Sequence, residues 1–212
     1  MNQENIINAL QWRYATKKFD TEKKLSDDDL NFLLETARLS PSSFGLQPWK
    51  IIVIENKEIR EKLKSAAWNQ PQVTDASHIL IFLAKRNLTE KDIDEYINLI
   101  SEERKVSKES LKDFENMLLA FINGAEPKNL EEWSKKQAYL ALGILLEAAA
   151  LSDIDACPME GFDSVQFDAI LNLEKEGLTS TVICALGYRA KDDEAVNRKK
   201  VRFPRDVLVI KR

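Results

Sequence analysis

The stretch Ala37-Arg38-Leu39-Ser40-Pro41-Ser42-Ser43-Phe44-Gly45-Leu46-Gln47-Pro48-Trp49 joins the end of an amphipathic helix to the start of an apolar strand. Upstream, Leu30, Leu33, Leu34, Ala37 and Leu39 recur at helical spacing. Pro41 ends that helix, because its ring removes an N–H donor and steers Ser40 out of the helical region. Downstream, Pro48-Trp49 launches Ile51-Ile52-Val53-Ile54, apolar on both faces as a buried strand requires. Between the two, Ser42 and Ser43 offer hydroxyls beside Gly45, where backbone can approach a ligand closely, and Gln47 adds an amide. Such a loop suits an oxyanion or a phosphate-bearing ligand. It equally suits a plain connection whose serines satisfy loop backbone.

Working outward, helices and short buried strands alternate irregularly. Residues 5–14 read as a helix with Ile6, Ile7 and Leu10 on one face, and Ser26 is an N-cap for a helix begun by Asp27-Asp28-Asp29. Residues 57–67 are helical, and residues 77–84 form a second buried strand led by His78. Residues 88–124 form a charged helical excursion, with a break between two helices within residues 101–107. Asn123-Gly124 ends it, and Pro127 forbids simple continuation. Residues 133–151 make the most apolar helix, which calls for burial all round, inside one chain or against a second. Residues 154–159 and 178–187 are strands flanking a short helix over residues 165–173, and Lys191-Asp192-Asp193-Glu194 reads as solvated loop. The run Val207-Leu208-Val209-Ile210 predicts a terminal strand with no neighbour in sequence, free to extend another chain's sheet. The pattern predicts an α+β fold, one sheet surrounded by helices, in a single domain spanning residues 1–212.

Composition narrows the function classes. The 212 residues are 44% hydrophobic and 31% charged, with a formal net charge of −4, which gives no electrostatic case for nucleic acid. The polar start Met1-Asn2-Gln3-Glu4-Asn5 is unlike a signal peptide, and the apolar run over residues 138–151 is too short to span a bilayer. Cys157 and Cys184 lack metal-ligand spacing, so neither a zinc site nor a disulfide framework is expected, and a cytoplasmic setting fits. With His78 the one histidine, no His-based triad or metal cluster is easily built. Difficult chemistry would therefore fall to a cofactor.

Three stretches carry candidate chemistry. Arg13-Tyr14-Ala15-Thr16-Lys17-Lys18 gathers a guanidinium, two ammonium groups and a hydroxyl, the set a phosphate monoester wants, or else a solvated face. Arg198-Lys199-Lys200-Val201-Arg202 is a second anion site or a solubilising patch. In Trp68-Asn69-Gln70-Pro71-Gln72, the amides of Asn69 and Gln72 can donate and accept together, as a heterocyclic imide requires, or simply make a turn.

Taken together, Arg13-Tyr14-Ala15-Thr16-Lys17-Lys18-Phe19-Asp20, Ser40-Pro41-Ser42-Ser43-Phe44-Gly45-Leu46-Gln47-Pro48-Trp49, Pro158-Met159-Glu160-Gly161-Phe162-Asp163 and Leu186-Gly187-Tyr188-Arg189, followed by Lys200-Val201-Arg202-Phe203-Pro204, resemble the FMN-dependent nitroreductase family. The chain looks closest to its oxygen-insensitive NAD(P)H nitroreductase and dihydropteridine reductase branch. The resemblance implies an intertwined α+β homodimer with two FMN sites at the interface and the C-terminal strand extending the partner's sheet. On it Arg13, Tyr14, Ala15, Lys17, Lys200 and Arg202 approach the phosphate, ribityl chain and pyrimidine edge. Pro41, Ser42, Ser43 and Gln47 come from the other subunit, Asn69 and Gln72 meet the polar edge of the flavin, and Pro158, Met159, Glu160 and Gly161 lie over one face. Phe44, Phe114, Leu118, Leu119 and Phe121 are expected around the substrate. The implied activity is ping-pong two-electron reduction of nitroaromatics, quinones or related small acceptors by NAD(P)H, with no side chain as dedicated acid or base. A flavin, dihydropteridine or enone reductase on the same scaffold is the alternative, and a cofactor-free dimeric interaction module is the non-enzyme reading. Gln72 stands where many relatives carry a lysine and Ala15 where many carry a serine, which leaves the flavin's potential open.

Overall fold

The computed structural model describes residues 2–212. Four strands make one antiparallel sheet in the order β1 (Trp49–Ile54), β2 (His78–Lys85), β4 (Leu178–Gly187), β3 (Asp155–Met159). β2 and β4 are apolar on both faces because helices cover both sides of the sheet. Ile79, Ile81 and Leu83 point to a layer containing α3 (Lys57–Ala66) and α8 (Ser164–Leu171), where Leu63 and Phe167 are fully buried. Leu80 and Phe82 point to the other layer, against Leu33 and Ala37 of α2 (Asp27–Arg38) and Ala138, Ala141 and Leu145 of α7 (Pro127–Leu151). Pro158 sits on the edge strand β3, where its missing N–H does not interrupt an inner ladder.

The boundaries follow local chemistry. Ser26 caps α2 by accepting from the Asp29 N–H, and the helix stops at Arg38, three residues ahead of Pro41. α1 spans Gln3–Trp12 and α4 is the single turn Gln72–Asp75. In the excursion, α5 (Glu90–Arg104) runs past residue 101 and ends where Lys105 adopts a left-handed conformation, φ 54°. α6 (Lys112–Asn123) follows, and the two pack Ile93, Ile97, Leu118 and Ile122 into a small core of their own. Pro127 begins α7 six residues ahead of Trp133, since the first helical position needs no N–H donor. Of α7, Tyr139, Leu140 and Ile144 remain exposed, so burial all round does not occur within the chain.

Within the single chain, residues 207–210 form no strand. Arg205–Leu208 (α9) form a single helical turn, and the segment is exposed. No edge of the chain's own sheet receives it, and a strand without a partner ladder leaves its N–H and C=O groups unpaired. Among the described residues no helix is long and apolar enough to cross a membrane.

His78 opens β2 almost fully buried, its Nδ1 3.0 Å from Ser77 Oγ and its Nε2 3.9 Å from Glu55 Oε1. Burial lowers its pKa below the ordinary 6.5, more than Glu55 restores. The unfolded chain therefore binds this proton at higher pH than the folded one. The stability held by the neutral ring is complete above about pH 6.5 and is lost as pH falls below it. Urea unfolding is expected to show a lower midpoint at pH 5.5 than at pH 7.5, with His78→Gln shrinking the difference.

Candidate functional site

Just past α1, Arg13 extends its backbone and carries a guanidinium whose Nε is buried with no partner. Lys200 and Arg202 arrive from the far end of the chain. The Lys200 ammonium donates to the carbonyls of Leu10 and Arg13, at the negative end of the α1 dipole. Burial and then Arg202 lower the Arg13 pKa; burial, then Arg13 and Arg202, lower that of Lys200. Among the described residues no carboxylate forms an ion pair with any of the three. Three mutually repelling cations around an unpartnered buried N–H make a receptor for a phosphate-like anion.

Two buried carboxylates hold the adjoining segment in place. Asp193, 3% exposed, accepts from the Tyr14 hydroxyl at 2.9 Å and from the backbone N–H groups of Lys17, Lys18 and Ala195 at 2.9, 3.2 and 3.1 Å. Burial alone would raise its pKa, but these donors outweigh it and hold the carboxyl below the usual range. Asp155, 4% exposed, accepts from Thr16 Oγ1 at 3.3 Å and from the Arg189 N–H and Nε. The Arg189 guanidinium lies 4.2 Å from the Trp12 ring and 4.7 Å from the Tyr14 ring. Burial first, then the Asp193 hydrogen bond, pushes the Tyr14 phenol up to about 12. Asp193→Ala is expected to bring Tyr14 back toward 10, read by phenolate absorbance. It is also expected to cost about 2 kcal/mol of stability, from donors left unpaired.

Ala15 bridges Ala156 beside β3. Behind it, burial raises the Cys157 thiol, with Lys17 and Arg13 offsetting part of that, and the Oε1 of nearby Gln72 is buried and unpartnered. Arg13, Ala15, Lys17, Gln72, Lys200 and Arg202 are thus brought together. Lys18 is not; it pairs with Asp192 at 2.9 Å on the exposed surface.

Past β3, Gly161 is pressed against Trp68, so close that a Cβ would come 2.8 Å from the ring, and Gln70 Nε2 donates to its carbonyl at 2.6 Å. Trp68 and Asn69 both have φ 55°, and the indole is 71% exposed. Met159 packs into the core and is 6% exposed. The Tyr139 hydroxyl donates to Glu160 at 2.6 Å. Tyr139, Leu142, Gly143, Leu146, Pro158, Met159, Glu160 and Val182 line an apolar groove of about 510 Å³.

The loop of residues 41–47 forms a separate group. Its Ser43 N–H donates to Gln137 Oε1 at 2.8 Å, and the Tyr96 hydroxyl donates to the Phe44 carbonyl at 2.8 Å. Gln47 spends its side chain on the Arg38 carbonyl and its N–H on Ser42 Oγ. Phe44, at φ 58°, packs 5.2 Å from Phe121, which lies 5.2 Å from Trp133. Phe114 and Leu119 are partly buried beside them. Leu118 does not fit the expectation of a substrate contact: it is fully buried among Ile93, Ile97 and Ile122, because the amphipathic α6 turns that side against α5. Gln137 anchors this loop, whereas Ala150 and Leu151 flank Ala9 and Trp12 next to the cation cluster. At 1.5 Å per residue, α7 separates the two groups by about 20 Å.

The sequence reading missed Asp193, Asp155, Arg189, Trp68, Gln70 and Tyr139 as site-forming residues. Asp193 corrects the solvated-loop expectation: it is buried because the segment following Tyr14 brings it donors. Arg189 lay inside a recognisable motif, but nothing local distinguishes Asp193 from Asp192. Among the described residues no group of side chains could hold a metal ion.

The nitroreductase family model matches residues 10–188, which takes in the bracing segment, the loop, the sheet and the turn after β3. A protein of Staphylococcus saprophyticus named "Putative NAD(P)H nitroreductase" is 39% identical over 216 residues, covering 98% of this chain and 96% of its own. The crystal structure of "putative nitroreductase ydfN" from Bacillus subtilis superposes with a TM-score of 0.88 at 21% identity, over 100% of both chains. Another, a "putative nitroreductase in complex with FMN" from Exiguobacterium sibiricum, gives 0.82 at 21% identity, over 100% of this chain and 98% of its own. A shared sheet and helix arrangement, and a sequence match across nearly the whole length, agree with the motifs that the site assembles: the chain belongs to the nitroreductase family.

Proposed function

We propose that the chain is an FMN-dependent NAD(P)H oxidoreductase acting as a homodimer on small aromatic or quinoid acceptors. The observation that carries this reading is the uncompensated cluster of Arg13, Lys200 and Arg202, with a buried guanidinium N–H lacking a partner. A phosphate monoester on a flat, largely apolar body fits that cluster and the groove beyond it. When bound, FMN supplies two-electron chemistry in a ping-pong sequence, with NAD(P)H as donor and a nitroaromatic, quinone or related compound as acceptor. Arg13, Lys200 and Arg202 hold the phosphate. Asp193 and Asp155 keep the segment with Ala15 and Lys17 in register beside Gln72. Pro158, Met159 and Glu160 line the mostly apolar groove, and Trp68 packs on Gly161 just past them. The loop of residues 41–47, with Phe44, Phe121 and Trp133, offers an aromatic surface too far along α7 to serve the same chain's cluster, and it serves the partner's. The reading assigns no side chain as a dedicated acid or base, and the proton comes from solvent or substrate.

The test is the visible spectrum of purified protein supplied with FMN, followed by NADH or NADPH without oxygen. A bound flavin spectrum that bleaches supports the reading, and protein with no affinity for FMN overturns it.

A further inference from the structure

We infer that Tyr139 is a positioning residue that moderates the negative charge Glu160 presents to the groove, and thereby sets the reduction potential of a flavin held there. This rests on the flavin reading above. Tyr139 projects from the middle of α7 and Glu160 from the turn after β3; their oxygens meet at 2.6 Å, within the short range of an O–H donor on a carboxylate. Both line the apolar groove, and both also line a polar groove of about 390 Å³ on its other side, with Lys135, Ser164 and Thr181. The pair is therefore the wall between the two.

Other groups nearby are committed elsewhere. Lys135 is paired with Glu131 at 2.7 Å and Glu132 at 2.8 Å, and Gln70 donates to the Gly161 carbonyl. Among the described residues no cation forms an ion pair with Glu160, and its side chain receives a hydrogen bond from Tyr139. Burial, and then the carboxylate, raise the Tyr139 phenol, so it remains a proton donor throughout the neutral range.

Reduction by NAD(P)H delivers two electrons and one proton to the ring, which gains one net negative charge. A carboxylate at the rim of the groove opposes that gain, and the hydrogen bond from Tyr139 draws part of the opposing charge toward α7. Removing the charge and removing its hydrogen-bond donor must then act in opposite directions. A role in packing alone would not reverse sign.

The experiment is equilibrium reduction of FMN-loaded protein against a dye of known potential. Glu160→Gln is expected to favour the reduced form about tenfold, a rise of about 30 mV for a two-electron couple. Tyr139→Phe is expected to disfavour it about threefold, and to have no effect when Glu160→Gln is already present. Shifts of the same sign, no shift in Tyr139→Phe, or a Tyr139→Phe shift that persists without the carboxylate would overturn the inference while leaving the flavin reading intact. Protein that fails to bind FMN at all would overturn both.

Discussion

Arg13→Ala is expected to weaken FMN binding about 100-fold while leaving the flavin-free protein at least as stable as the parent. The two halves of this result have one cause. In the free chain the Arg13 guanidinium is partly buried, has an unpartnered Nε and is pressed by Arg202 and Lys200, so it costs stability. With a phosphate in place the same guanidinium gains a bidentate partner, and each charge-assisted hydrogen bond contributes about 1.5–3 kcal/mol. Relief of repulsion in the variant offsets part of the loss, leaving about 3 kcal/mol, which is about two decades of affinity. Flavin fluorescence titration gives the affinity, and thermal melts with and without FMN give the two stabilities. Arg13→Lys should recover little, since an ammonium lacks the planar fork. A variant that binds FMN normally would remove Arg13 from the phosphate site.

The second large effect lies in the fold. Arg60→Ala is expected to destabilise the chain by about 4 kcal/mol, much of a typical domain's margin of 5–15 kcal/mol. The Arg60 side chain, 5% exposed, donates Nε to the Val73 carbonyl at 2.7 Å, one terminal nitrogen to Ala76 at 2.6 Å and the other to Ser77 at 3.1 Å. It thereby ties α3 to the end of α4 and the entry of β2. Burial lowers its pKa, with Asp75 offsetting part of that. Truncation leaves three carbonyls without their donor in a place that water hardly reaches. Urea unfolding should show a midpoint about 2 M lower. Lys at this position would not restore it, since one ammonium does not span three carbonyls set around a planar group. A midpoint within 0.3 M of the parent, on the order of the extrapolation error, would show that the network is dispensable.

What the sequence made legible was set by how local each interaction is. Leu30, Leu33 and Ala37 predict α2 because one helix face meets one core layer, and Ser26 announces its start within three residues. The apolar runs of β2 and β4 are unmistakable because both faces are covered. Arg13, Lys17, Lys200 and Arg202 are charged residues in motifs, and the fold brings them together. Asp193 was unreadable, since its donors at Lys17 and Lys18 lie 176 and 175 residues away. Leu118 and Phe121 are neighbours on one helix, and only the position of α5 decides which is buried. Residues 207–210 have strand composition, but within one chain no edge of the sheet receives them and Arg205–Leu208 form a helical turn.

The 25-residue span of α7, with the cation cluster at one end and the aromatic loop anchored nearer the other, has a genetic consequence under the dimeric reading. Each completed site would draw one half from each chain. A chain damaged at Arg13 and a chain damaged at Phe44 would both be inactive alone, yet their mixed dimer would carry one site with both halves intact. Random reassociation of equal amounts would restore about one quarter of the sites. Two dead alleles would then complement each other, while two lesions at the same end of α7 would not.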